Sequence, residues 1–306
     1  MVPLVFHPIY SQLNLPYRHR FPIEKYQAIR DALAGFGVPS QHFFTPQALE
    51  ETKLCEVFCP AYIQALCRGD LDEKAMRRIG FPWSEQLIRR TLTAAGGTVL
   101  AAQLAMKHGM ALNLTGGYHH AFADFGAGFC MVNDLYLAAL EMLKTSGVDR
   151  VLIVDCDVHQ GDGTAHLAKD DSRIITLSLH GEKNFPHRKQ LSDMDFALPK
   201  GTADEQYLDT LDSALSLALR LYQPDAVIYD AGVDVHIDDD LGHLHISTQG
   251  VYTRDCLVLN TCKQQGMPVV AVIGGGYQRD IQALTQVHLQ LFRAAGLAPM
   301  VTSPIA

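Results

Sequence analysis

The sequence predicts an α/β protein built on a mainly parallel sheet, and three observations lead there. Short β-rich runs alternate with helical stretches, which is the pattern of repeated βαβ units. Several of those runs end in ionisable residues, as happens where an open parallel sheet carries a site along its carboxyl edge. The 306 residues are 48% apolar with no break in composition, which fits one large domain spanning 1–306.

Taken in order, Pro3–Phe6 reads as a first strand. Glu24–Phe36 is helical, with apolar positions at Tyr26, Ile29, Leu33 and Phe36, and the Ala-rich stretch Glu85–His108 is a long, buried helix. Further strands fall at 111–114, 151–155, 173–178, 225–230 and 268–273, with helices near 132–145, 204–222, 248–265 and 280–294. Ser247-Thr248 and Thr202-Ala-Asp-Glu205 look like helix starts, the second with capping-box spacing. Long loops at 116–129, 180–201 and 231–246 follow strands, where binding and catalysis tend to sit. There is no repeat, low-complexity tract or linker.

Composition excludes several function classes. Seven cysteines without regular pairing or zinc-finger spacing, and an N-terminus without the charged and apolar regions of a leader, predict a reducing, cytoplasmic setting. No segment approaches the ~20 apolar residues that span a membrane. The net charge is −8 and the only basic cluster is His187-Arg188-Lys189, which argues against a nucleic-acid surface. The acidic balance is compatible with a cationic substrate, although solubility is its usual cause.

The chemistry concentrates at strand ends. In Val151-Leu-Ile-Val-Asp155-Cys-Asp157-Val-His159, residues two apart in an extended chain share a side at ~6.5 Å spacing, so Asp155, Asp157 and His159 converge while Cys156 and Val158 face away. Asp234 follows the run Ala226–Asp230, Tyr277 follows Val269–Ile273, and His119-His120 follow Ala111–Leu114. Asp157, His159 and Asp234 make a three-ligand set that leaves a coordination position open, as a catalytic zinc site does. A divalent ion there lowers the pKa of a coordinated water toward ~7 and polarises a neighbouring carbonyl. A thiolate-free, oxygen-rich set also accepts Fe²⁺, Mn²⁺ or Co²⁺. The alternative is a buried Asp/His network without metal.

His119 and His120 are then free for acid–base work, with Asp155 and Asp162 available to orient them. Tyr277, after Gly274-Gly-Gly, is suited to donate to an oxyanion, and that triple glycine lacks the spacing of a dinucleotide fingerprint. Gly126-Ala-Gly128-Phe129 and Asn184-Phe185-Pro186 each place a Phe in a loop, and two facing rings would form a slot for an aliphatic chain. Ser178 beside Asp155 is a candidate for a monovalent cation.

Together, Gly116-Gly-Tyr-His-His120, Gly128-Phe-Cys-Met-Val-Asn-Asp134, Asp155-Cys-Asp-Val-His-Gln-Gly-Asp-Gly163, Ala231-Gly-Val-Asp234 with Leu241-Gly242, and Gly274-Gly-Gly-Tyr277 resemble the zinc-dependent histone deacetylase family over residues ~1–295. Gln278, Asp204-Glu-Gln-Tyr-Leu-Asp209, His19-Arg-Phe-Pro-Ile-Glu-Lys-Tyr26 and the short length lean toward class IV or its bacterial relatives. The resemblance implies the arginase/deacetylase fold, a three-layer α/β/α sandwich around a mainly parallel eight-stranded sheet. It implies Asp157, His159 and Asp234 as zinc ligands and Tyr277 as oxyanion donor. His119 with Asp155 becomes the electrostatic member of a dyad, and His120 with Asp162 the general base and then acid. Gly128, Phe129 and Phe185 match the acyl-lysine tunnel, and Asp155 with Ser178 a potassium site. Gln160 stands where class I members carry a second His, and the rim aspartate of those members has no counterpart around Gly80-Phe-Pro-Trp83-Ser.

The expectation is therefore a metal-dependent hydrolase that removes acetyl or longer acyl groups from the Nε of acyl-lysine in proteins or peptides. Its alternatives are a deacylase of acetylpolyamines or other small acylated amines, and a catalytically idle acyl-lysine binder.

Overall fold

In the strand Ala226–Asp230, Ala226 and Ile228 face one apolar core while Val227 and Tyr229 face another. Val151–Asp155 alternates the same way, with Val151 and Ile153 on one side and Leu152 and Val154 on the other. Strands buried on both faces belong to a middle layer, which explains why they are apolar throughout. The computed structural model describes residues 1–299, so 300–306 of the expected 1–306 domain lie outside the described residues.

The strands in chain order are β1 (Leu4–Val5), β2 (Phe43–Phe44), β3 (Met110–Asn113), β4 (Val151–Asp155), β5 (Ile174–Gly181), β6 (Met194–Leu198), β7 (Ala226–Asp230) and β8 (Val269–Val272). Among the described residues they form one eight-stranded sheet, all parallel, in the order β2-β1-β3-β8-β7-β4-β5-β6. The helices are α1 (Lys25–Gly35), α2 (Glu51–Cys55), α3 (Pro60–Arg68), α4 (Glu73–Ile79), α5 (Glu85–His108), α6 (Asp134–Met142), α7 (Asp162–Ala168), α8 (Asp204–Tyr222), α9 (Thr248–Gln264) and α10 (Ile281–Ala294).

Helices α5 and α6 cover one face through Ala101, Ala105, Leu135, Ala138 and Met142. The other face meets α1, α8, α9 and α10 through residues such as Ile29, Leu211, Leu215, Val258, Leu284 and Phe292. The architecture is the expected α/β/α sandwich.

Several local expectations are corrected. The first strand shortens to Leu4–Val5, because Phe6 continues only as a single backbone bond to Phe44. Between the first two predicted helices lie β2 and the short helices α2 to α4, and the segment 180–201 contains the end of β5 and all of β6. Thr202–Glu205 forms no capping box: Ala203 occupies the cap, and the Thr202 hydroxyl donates to Pro199 O at 2.8 Å. Asp204 serves another helix, accepting from Ser247 N at 2.8 Å, while Ser247 caps α9 through Gly250 N as expected.

The neighbouring strands β3, β8, β7 and β4 all run the same way, so the loops after Asn113, Val272, Asp230 and Asp155 open on one edge of the sheet. These are the four loops in which the sequence places its ionisable groups.

Candidate metal centre

Asp157, His159 and Asp234 bring one donor atom each to within 4.8 Å of one another, and all three are buried. Their positions follow from the backbone. The loop after β4 turns tightly, with Asp157 N donating to Asp155 Oδ1 at 3.1 Å and His159 N to Asp157 Oδ1 at 2.9 Å. The loop after β7 reaches across, where Asp234 Oδ1 accepts Val158 N at 2.8 Å. His159 Nδ1 then faces Asp157 Oδ1 at 2.9 Å and Asp234 Oδ2 at 3.0 Å.

Electrostatics bear on whether this set fits a cation. Burial opposes charge on His159, yet its hydrogen bonds with Asp157 and Asp234 outweigh that cost and lift its pKa to about 10. Burial and the adjacent Asp157 raise Asp234 to about 7. Two buried carboxylates thus demand positive charge between them, and a divalent ion meets that demand as well as a proton does. Space is reserved as well: a Cβ on Gly275 would collide with Asp234 Oδ2 and Asp157 Oδ2, so only glycine leaves room for both oxygens where they stand. The donor set fits a divalent cation.

The two adjacent imidazoles sit differently. His119 Nδ1 lies 2.7 Å from Asp155 Oδ2, and His120 Nδ1 lies 2.6 Å from Asp162 Oδ1. For His119, burial is outweighed by Asp155 and Asp157, and its pKa rises well above the ordinary value. For His120, burial and then the His119 charge prevail over Asp162 and bring it down to about 4. The surroundings thus favour the charged form of His119 and the neutral form of His120. The loop carrying both is anchored by Asp134, which accepts from Gly117 N, Tyr118 N and Thr98 Oγ1.

A cavity of about 470 Å³ leads to these groups. His120, Gly128, Phe129, His159, Phe185 and Tyr277 line it, so the two expected slot residues share one space. The Phe185 ring stands edge-on to His120 at 4.8 Å, and the Tyr277 ring lies 6.2 Å from that of His159. Burial, and then the charges of Asp157 and Asp234, push the Tyr277 phenol well above its usual pKa, leaving it a neutral donor. Asp239 fixes its backbone by accepting Tyr277 N at 2.7 Å. Asp155 and Ser178 sit side by side in the β4–β5 register, with Ser178 Oγ 3.0 Å from His180 Nδ1.

The histone deacetylase domain model matches residues 19–294 of this sequence. The chain belongs to the histone deacetylase family. It is 47% identical over 294 residues to an uncharacterized protein of Picosynechococcus sp., a match covering 96% of this chain and 98% of that one. It is 37% identical over 188 residues to histone deacetylase 2 of Arabidopsis thaliana, covering 60% of this chain and 49% of that protein. Histone deacetylase 9 of the same plant is 28% identical over 272 residues, covering 81% and 62%. The matched parts of these two named deacetylases are about half to three fifths of their length.

Within the family frame, two departures find structural uses. Gln160 is buried and ties the loop after β4 to β6, donating to Gln190 O at 2.8 Å and Asp195 Oδ1 at 2.7 Å. The Gly80–Ser84 segment serves packing: Trp83 Nε1 donates to Leu66 O, and Ser84 caps α5 through Leu87 N.

Sequence reading missed two supporting cations. Lys25 is buried and donates to Gly274 O at 3.0 Å, bracing the turn before Tyr277. Arg254, fully buried, donates to Gly232 O at 2.5 Å and Ala231 O at 3.1 Å, holding the loop that carries Asp234. Lys25 was legible, since it falls four and eight residues before Ile29 and Leu33 on the apolar stripe of α1.

Proposed function

We propose that this chain is a single-domain, metal-dependent amidohydrolase that removes acyl groups, acetyl or longer, from the Nε of acyl-lysine in proteins or peptides. The observation that carries the reading is that His159 of the Asp157–His159–Asp234 cluster, His120 of the His120–Asp162 pair and Tyr277 all line one cavity walled by Phe129 and Phe185. Asp157, His159 and Asp234 would hold the ion, as zinc, Fe²⁺ or Co²⁺. When bound it supplies Lewis-acid polarisation of the acyl carbonyl and acidifies water.

The chain's own residues divide the remaining work. Gly128, Phe129 and Phe185 hold the aliphatic stem in an apolar slot, which excludes water from the reacting amide. His120, neutral and held by Asp162 at Nδ1, offers Nε2 as the base that takes a proton from the attacking water. It then returns that proton to the leaving amine nitrogen. His119, kept charged by Asp155, stabilises the negative charge that develops nearby. The Tyr277 hydroxyl donates to the oxyanion. Asp155 and Ser178 are proposed to hold potassium, which their adjacency in the β4–β5 register supports. Seven free thiols support a cytoplasmic setting.

The test is a panel of short-, medium- and long-acyl-lysine peptides beside acetylpolyamines, given to the metal-loaded enzyme. Release of free lysine peptide is the expected result. Turnover confined to acetylpolyamines, or none with stoichiometric metal present, would overturn the substrate or the activity respectively.

A further inference from the structure

The mouth of the Phe129–Phe185 cavity is basic. Of its lining residues, Arg78, Lys183, His187 and His243 are exposed, whereas His120 and His159 at the floor are buried. No Asp or Glu belongs to that lining among the described residues, in a chain with a net charge of −8. Two carboxylates stand close in sequence. Asp240 is taken by Arg279 at 2.9 Å, and Glu182 lies 3.4 Å from Lys183 in an exposed pair of little strength.

Arg78 is part of the wall itself. Its carbonyl accepts Gly128 N at 3.1 Å and the next carbonyl, of Ile79, accepts Phe129 N at 2.7 Å. Its Nε donates to Gly126 O at 3.1 Å, and its guanidinium carbon lies 4.1 Å from the centre of the Phe125 ring. A cation so braced loses little conformational freedom on binding an anion. Across the opening, Lys189 Nζ donates to Asn184 O at 2.6 Å and Pro186 O at 2.8 Å, which steadies the loop bearing Lys183, Phe185 and His187. Arg188 follows on the same loop and lines an adjoining cavity beyond Phe185, together with Arg78 and the exposed Asp124. The basic cluster seen in the sequence thus lies beside the entrance.

An acyl-lysine must enter acyl end first, because the acid–base groups are at the floor, so the rim meets the chain on either side of the lysine. We propose that the preferred substrate is an acyl-lysine flanked by acidic residues, and that Arg78 and Lys183 receive those carboxylates. This deepens the deacylase reading and rests on it. The same charges disfavour acetylpolyamines and Lys/Arg-rich segments, since like charges brought together at a binding site cost affinity.

The experiment uses acyl-lysine peptides with Asp/Glu, Gly/Ala or Lys/Arg flanks on the metal-loaded enzyme. Binding is measured by surface plasmon resonance and turnover by kcat/KM. The acidic set should be favoured over the basic set by about tenfold at low ionic strength, the equivalent of one charge-assisted hydrogen bond, with the preference shrinking in ~1 M salt. Arg78→Glu should reverse the order; Lys183→Glu, at an exposed side chain, should narrow it in case the first variant does not fold. Binding within twofold across the three sets overturns the inference even if all are cleaved. Charge-ordered binding without cleavage sustains the rim assignment and sinks the deacylase reading instead.

Discussion

His120 Nδ1 lies 2.6 Å from Asp162 Oδ1, and this contact leaves Nε2 as the ring nitrogen available to the cavity that His120 lines. His119, bonded to Asp155 in the same manner, does not line that cavity. The two imidazoles are thus unequal by position as well as by the direction in which their surroundings shift them.

From that inequality, His120→Ala should lower kcat by the ~10²–10⁴-fold that general acid–base catalysis contributes, with His119→Ala less damaging. Steady-state kinetics on both variants with metal content matched decides it. A greater loss from His119→Ala, with His120→Ala near wild type, would reverse the roles.

Tyr277→Phe removes one hydroxyl and leaves the ring packed. Its kcat should fall ~10²–10³-fold while substrate and metal binding stay close to wild type. A kcat within a few-fold of wild type would make the phenol a packing group.

Gly275→Ala tests the proposed metal cradle with Asp157, His159 and Asp234 all in place. The added methyl must displace Asp234 Oδ2 or Asp157 Oδ2, so divalent-ion affinity should drop by at least the ~10–100-fold typical of losing a supporting partner. Titration of the apo-protein with Zn²⁺ measures this; unchanged affinity would mean those oxygens are not the donors.

The contribution of His180 to stability should decline in mild acid. Burial lowers the pKa of His180 from 6.5 to about 4, so the unfolded chain binds a proton that the folded one refuses between those values. That contribution is complete above about 6.5 and falls as pH drops toward 4. His120, His236 and His288, also lowered, act in the same direction, whereas Asp234, raised to about 7, acts in the opposite one, so the comparison is made between His180 and its variant. Urea denaturation across this range should give a shallower pH dependence for His180→Gln; parallel curves for the two proteins would count against the assignment.

The sheet and the Asp157–His159–Asp234 cluster were readable because each strand end places its chemistry within a few residues of an apolar run: Asp157 and His159 after Asp155, Asp234 after Asp230. The short β2 was not, since Phe43-Phe44 becomes a strand only through pairing with Leu4 and Val5. Nor was β6, an edge strand in which Asp195 and Ala197 face out between buried Met194 and Leu198. Arg254 escaped notice because its partners are the carbonyls of Ala231 and Gly232, and backbone acceptors leave no trace in a sequence. The cationic rim drew Arg78 and Lys183 from places 105 residues apart in the chain, a grouping that only the folded loops create.

If Asp157, His159 and Asp234 hold an ion required for acyl-lysine hydrolysis, metal and activity must disappear together. Metal content by plasma mass spectrometry and acyl-lysine turnover, measured on the same preparations of wild type, Asp157→Ala and Asp234→Ala, test this most directly. The expected result is about one divalent ion per chain and activity in the wild type, with both lost together in each variant, because two remaining ligands hold a catalytic ion poorly. Undiminished metal and turnover in both variants would contradict it.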